Sequence, residues 1–227
     1  MNRGMRRSSL WRNRARDPAF TAILTVQIII IFVTPFAAMG YQVVRDIIQL
    51  LFLVFTILVY LISRGPIATT LAILAFLSDS AGYVLELVKP SELSLILGYT
   101  GSISAFVVAS YALGYAVLAP GVVTFHRVLG AIALYLNIGL MFAASYRWIW
   151  YFIPNSLANV ASGGAWQADS TVLYFSFVTL TSTGFGDVVP LHPLARMVAN
   201  VEAIIGQLYP ATLLARLITL RGQWRGP

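Results

Sequence analysis

Apolar residues in this chain gather in long blocks, at roughly 19–39, 47–63, 67–88, 93–119, 128–153 and 191–220. Each block is about long enough to cross a bilayer as a helix, which takes roughly 20 residues. A further block, Trp166 to Leu180, is half apolar and too short to cross. The pattern predicts an all-α integral membrane protein with six transmembrane helices, in which 166–181 enters the membrane as a re-entrant helix and turns back. Irregular backbone at membrane depth is tolerated only where protein buries it or water reaches it. Residues 182–187 are therefore predicted to line a cavity.

Composition supports the membrane reading and narrows the chemistry. The 227 residues are 59% hydrophobic and 10% charged, against about 25% charged in an ordinary soluble domain. The net charge of +7 suggests a polyanion partner, but the arginines sit mainly at the ends of apolar blocks. That placement reads as membrane orientation, with the lipid bilayer as partner and no nucleic acid. Cysteine is absent, so disulfides and thiolate metal sites are excluded. No His/carboxylate cluster has metal-ligand spacing and no nucleophile stands near a base, so no enzyme and no cofactor is expected.

Six arginines (Arg3, Arg6, Arg7, Arg12, Arg14, Arg16) precede the first block, Arg64 and Arg127 lie in the second and fourth connections, and Arg216, Arg221 and Arg225 end the chain. Six spans with both termini cytoplasmic satisfy the positive-inside rule. The first apolar run is longer than a signal peptide's, about 7–15 residues, and is read as a retained helix. Pro120-Gly121 separates two parts. The expected domains are a basic N-terminal segment (1–17), a four-helix front half (18–120), a C-terminal module (121–221) and a short tail (222–227), with no receptor domain after the tail.

The most specific stretch is Tyr174-Phe175-Ser176-Phe177-Val178-Thr179-Leu180-Thr181 followed by Ser182-Thr183-Gly184-Phe185-Gly186-Asp187 and Val188-Val189-Pro190. Glycines permit the φ/ψ values that aim successive carbonyls inward, and carbonyls on an axis can replace a cation's hydration shell. This run resembles the potassium-channel signature, whose common form reads Thr-Val-Gly-Tyr-Gly-Asp. The resemblance covers about Val128 to Arg221. It is to bacterial six-transmembrane potassium channels of the tetrameric P-loop cation-channel superfamily, and it implies a homotetramer in the inner (plasma) membrane.

The resemblance implies roles for individual residues. Ser182, Thr183, Gly184 and Phe185 would hold potassium ions, with Gly186 at the outer mouth and Thr181, Asp187, Tyr174 and Glu202 supporting the filter. The negative end of the re-entrant helix, near Leu180 and Thr181, would favour a cation. Gly206 and Pro210 would form a gating hinge, with Pro210 bending the last helix by removing an intrahelical bond. Gln207 would face the inner cavity.

Departures from the common motif bear on selectivity. Ser182 lacks the methyl that stiffens a threonine. Thr183 stands in place of an apolar residue and brings a hydroxyl able to bond behind the filter. Phe185 lacks the phenol that commonly ties the filter down. Asp187 either bonds the Tyr174 hydroxyl or simply concentrates cations at the mouth. Glu202, an acid at membrane depth and so a functional candidate, either bonds Ser176 or Thr179 or sits protonated in a helix interface.

The front half stands where such channels carry a voltage sensor, yet Leu93 to Pro120 holds no Arg or Lys. A sensor must move charge through the field, at about 2.3 kcal/mol per charge per 100 mV. Gly98 with Ser102, and Gly101 with Ala105 and Ala109, suit close helix packing instead. Asp79 and Glu86 are left as countercharges without a sensor, and either Asp79 pairs with Arg45 or both face a solvated vestibule. The expected function is a passive potassium-selective channel without conventional voltage gating. The alternatives are a weakly selective monovalent-cation channel and a silent or regulatory subunit.

Overall fold

The computed structural model describes residues 16–63, 65–89, 91–118, 125–161 and 164–222, with side chains between 18 and 215. Its helices are α1 (Arg16–Ala38), α2 (Gln42–Ile62), α3 (Pro66–Val88), α4 (Glu92–Leu118), α5 (Phe125–Phe152), the short α6 (Ala165–Leu180) and α7 (Pro193–Gly222). Among the described residues, six helices are long and apolar enough to cross a membrane; α6 is not one of them. The basic N-terminal segment, Arg64, the Pro120-Gly121 boundary, the side chains of Arg216 and Arg221, and the tail with Arg225 lie outside what is described.

The helices follow the apolar blocks closely, with one instructive difference. The second apolar block begins at 47, but α2 begins at Gln42. Gln42, Arg45 and Asp46 break the hydropathy signal; they line an open cavity, and Gln42 and Asp46 are exposed. Helix α3 opens with Pro66 in its first turn after Gly65 at φ 88°, a start that uses proline where no N–H is needed.

Small residues set the packing. Helices α3 and α4 make the most extensive contact in the fold. A Cβ on Gly82 would lie 2.5 Å from the Gly98 nitrogen, and one on Gly101 would lie 2.6 Å from the Asp79 nitrogen. The two backbones therefore touch, as small-residue interfaces in membranes allow.

The front helices rest on the same chain's C-terminal module: α1 lies along α5 and α6, and α4 along α5. A buried polar junction pins them. Gln27 of α1 donates to Asn137 Oδ1 on α5 at 3.1 Å, and Asn137 Nδ2 donates to the Phe106 carbonyl and to Ser110 Oγ on α4, both at 2.8 Å. Gln27 and Asn137 are fully buried. In an apolar surrounding a lone amide is costly, so each holds the other in register.

After α5, Leu157–Ala158 (β1) pairs antiparallel with Val189–Pro190 (β2). The buried Ser156 carbonyl accepts from the N–H groups of Leu191 (2.8 Å) and His192 (3.2 Å). This two-residue ladder fastens the chain on its return from the 181–187 loop into α7.

Candidate functional site

Helix α6 is wedged between α5 and α7. A Cβ on Gly139 of α5 would lie 2.7 Å from the Phe177 ring, and one on Gly206 of α7 would collide with the Leu180 carbonyl. Both glycines let a neighbouring helix approach the short one. Gly206, expected at a hinge, thus has a packing reason for its identity, and α7 stays helical through Gly206 and Pro210.

Glu202 sits one turn before Gly206 and is fully buried. It meets Ser176 of α6, with Ser176 Oγ 2.5 Å from Oε1, while the Tyr146 hydroxyl of α5 donates to Oε2 at 2.6 Å. Ser176 Oγ also reaches the Gly139 carbonyl at 2.7 Å. Three helices are joined at one carboxyl group. Of the two partners expected for Glu202, the structure brings it Ser176 and not Thr179; Tyr146 is an addition.

Beyond Leu180 the backbone changes character. Ser182, Gly184 and Gly186 have φ of 56°, 62° and 77°, while Thr183 and Phe185 between them stay negative. In an ordinary strand successive carbonyls point to opposite sides. Alternating the sign of φ turns every second peptide over, so the carbonyls share one side. Glycine takes the positive values without strain; Ser182 takes one as a non-glycine residue.

The first three N–H groups of the loop are anchored and its carbonyls are not. Thr181, Ser182 and Thr183 donate to the carbonyls of Phe177 (3.0 Å), Thr179 (2.9 Å) and Val178 (2.9 Å). Among the described residues, the carbonyls of 182–186 accept no hydrogen bond, and 181–187 are all exposed. Unsatisfied carbonyls in a membrane chain need water, an ion or another chain.

Side chains brace the loop from behind. Thr181 Oγ1 and Thr183 Oγ1 are 2.8 Å apart. Gln207 of α7, expected at an inner cavity, donates to Ser182 Oγ at 3.0 Å. The Phe185 ring stacks on Tyr174, with centroids 6.3 Å apart and planes at 2°. The Tyr174 hydroxyl lies near enough to the Asp187 carboxylate to feel its charge. Asn159 Nδ2 donates to the Asp187 carbonyl at 2.7 Å. The structure therefore gathers Tyr174, Thr181, Ser182, Thr183, Phe185 and Asp187 in one place and sets Glu202 and Gly206 against α6 just behind it.

Residues 128–221 match the ion-channel family model. Two curated proteins are similar to parts of the same chain. Two-pore potassium channel 1 of Arabidopsis thaliana is 31% identical over 90 residues, which is 40% of this chain and 22% of that protein. Protein LctB of Bacillus caldotenax is 41% identical over 46 residues, which is 20% of this chain and 34% of that protein. The matched segments thus span about a fifth to a third of these relatives' own length. No solved structure matches the chain significantly. The likenesses point to a channel and not to an enzyme.

Sequence reasoning missed Asn159, Tyr146 and the β1–β2 ladder. Asn159 carries φ 60°, a value asparagine tolerates better than most residues, but a lone Asn in a connection gives no signal of what it will cap. Asp79 accepts from Gln49 at 3.0 Å, and among the described residues Arg45 forms no ion pair with it; of the two alternatives, the Asp79–Arg45 pair is not formed.

Proposed function

We propose that the chain is the subunit of a homotetrameric channel that passes potassium ions selectively and passively through the 182–186 loop. What supports the reading most is the alternation of φ along the loop together with five carbonyls that no group among the described residues satisfies. One loop offers one wall; closing a ring of oxygens around an ion takes several copies about an axis. Ser182, Thr183, Gly184 and Phe185 would supply the ion sites and Gly186 the outer mouth. The potassium channel among the relatives supports the choice of ion. An uncovered apolar stripe on α7 (Met197, Val201, Ile204, Leu208) has the three-and-four spacing of a helix seam and offers a surface for neighbouring copies or lipid.

Gating in this proposal lies within the C-terminal module, at Gly206 to Pro210 or in the loop, because α4 carries no Arg or Lys to move. The membrane would be the plasma membrane, with both termini cytoplasmic. The test is potassium and sodium flux through the purified chain in liposomes. Potassium flux well ahead of sodium, with little voltage dependence, is the expected result. Gly186→Val is the control: a β-branched residue at φ 77° costs about 1–2 kcal/mol in each copy, so the flux should fall by roughly tenfold or more. Equal sodium and potassium flux defeats the selectivity reading, and a purified chain that never assembles or conducts defeats the channel reading.

A further inference from the structure

Between α2, α3 and α4 of the front half and the facing parts of α5 and α6 lies a cavity of about 310 Å³, within the range of small-molecule sites. Its charge is unbalanced. Asp46 of α2 and Asp79 and Glu86 of α3 line it, the latter two on one face of their helix at a spacing of seven. All three carboxylates are held by neutral donors. Gln42 and Tyr83 reach Asp46 at 3.1 and 3.3 Å, Gln49 and Ser102 reach Asp79 at 3.0 and 3.4 Å, and Ser94 reaches Glu86 at 2.6 Å.

The two cations on the wall are engaged elsewhere. Arg147 pairs with Asp169 at 2.6 Å and lies between the rings of Tyr99 and Trp150, each centred 5.0 Å from its Cζ. Arg45 donates to the Ala37 carbonyl at 3.3 Å and its Cζ lies 6.0 Å from the centre of the Trp166 ring. Among the described residues, Arg147–Asp169 is the only ion pair. Asp79, 4% exposed, is a buried acid with no ion-pair partner among the described residues, a costly arrangement.

Two further observations point to an occupant. Arg147 Nη1 is buried on the cavity wall and has no acceptor. On the α4 wall a Cβ added to Gly98 would meet nothing within 4 Å, so α4 leaves room where a side chain would otherwise stand. Phe52, Phe106, Leu140 and Leu173 supply an apolar floor.

We propose that this cavity binds an organic ammonium ion with an aromatic body and an oxygen acceptor. The ammonium would lie on the Asp79 side, where it supplies the positive charge that α4 lacks. The ring would rest against Phe52 and Phe106, and the oxygen would take the free Arg147 N–H. Tyr83, Tyr99 and Trp166 offer ring faces that also favour a cation. Leu173, Trp166 and Asp169 belong to α6, so a ligand here touches the helix that carries the 181–187 loop. The binding claim does not depend on the channel reading.

The test is calorimetric titration of the full chain in detergent with 2-amino-1-phenylethanol, against 1-phenyl-1,2-ethanediol as its uncharged counterpart. The amine should bind saturably and the diol roughly tenfold more weakly or worse, the scale of a lost charged hydrogen bond. Asp79→Asn keeps the Gln49 bond and should weaken the amine by a similar factor. Gly98→Leu fills the cavity without touching its charge and should abolish binding of both probes, which keeps the claim testable if Asp79→Asn fails to fold. Equal binding of amine and diol, no binding of either, or amine binding unchanged in Gly98→Leu overturns the proposal.

Discussion

The two halves of the molecule each bury one acid on a long helix, and they treat it differently. Glu202 in the C-terminal module is fully enclosed, with both oxygens engaged by hydroxyls on two other helices. Asp79 in the front half is nearly as buried, but it is held by an amide and a weakly placed hydroxyl beside an open cavity. The first acid is a joint: removing it strips Tyr146 of α5 and Ser176 of α6 of their shared partner on α7. The second is a charge waiting for a counterpart. Burial alone therefore does not tell what an acid in a membrane helix does; the completeness of its partners does.

The largest effect is expected at the joint. Glu202→Ala leaves Tyr146 and Ser176 without their partner and opens a void among three helices. Unsatisfied buried groups cost about 1–3 kcal/mol each, so the loss should be roughly 3–5 kcal/mol, read as a sharp fall in the melting temperature in detergent and loss of flux. Glu202→Gln separates hydrogen bonding from charge. The amide accepts from Tyr146 and donates to Ser176, which then gives its one proton to Gly139. Stability near that of the parent chain is expected, and a glutamine variant as unstable as the alanine one would show that the charge itself is required.

Gly206→Val comes next. Its side chain runs into the Leu180 backbone, which cannot rotate away as a side chain can. Overpacking of this kind costs about 1–3 kcal/mol, and it displaces the end of α6 where the 181–187 loop begins. A flux loss larger than the change in melting temperature would place the fault at the loop. Asp79→Asn should move the other way. Replacing a buried acid that lacks a cation by a neutral near-isostere is expected to raise stability by about 1 kcal/mol, in contrast to every change at Glu202.

Much of this was legible in the sequence, and the reasons it was legible are physical. Hydropathy places the six long helices within a few residues because the bilayer demands unbroken apolar length. Gly184 and Gly186 mark the positive φ positions because few other residues accept them. The Glu202–Ser176 contact was within reach because an acid at that depth must find a donor. What stayed hidden has no period and no compositional cost. The early start of α2 is masked by Gln42, Arg45 and Asp46, polar residues that line a cavity while Gln42 and Asp46 stay exposed. Ser182 takes a positive φ that its residue type does not announce. The partners of Asp79, the Asn159 cap and the Gln27–Asn137 junction depend on which helices meet, and that is decided by small residues on α3, α4 and α5 that look alike in sequence.

The smallest predicted effect is also the cleanest test of that last point, because two glycines three residues apart on α4 should respond with opposite signs. Gly98 has open space where a Cβ would go, whereas a Cβ on Gly101 would strike the backbone at Asp79. Both are mid-helix, where alanine is favoured over glycine by about 0.5–1 kcal/mol. Gly98→Ala should therefore raise the melting temperature in detergent slightly. Gly101→Ala gains the same helix preference but forces α3 and α4 apart, and a net loss is expected. Equal stabilisation by both would mean that the two helices do not touch at Asp79, and with that contact would go the close α3–α4 packing that leaves Asp79 facing the cavity.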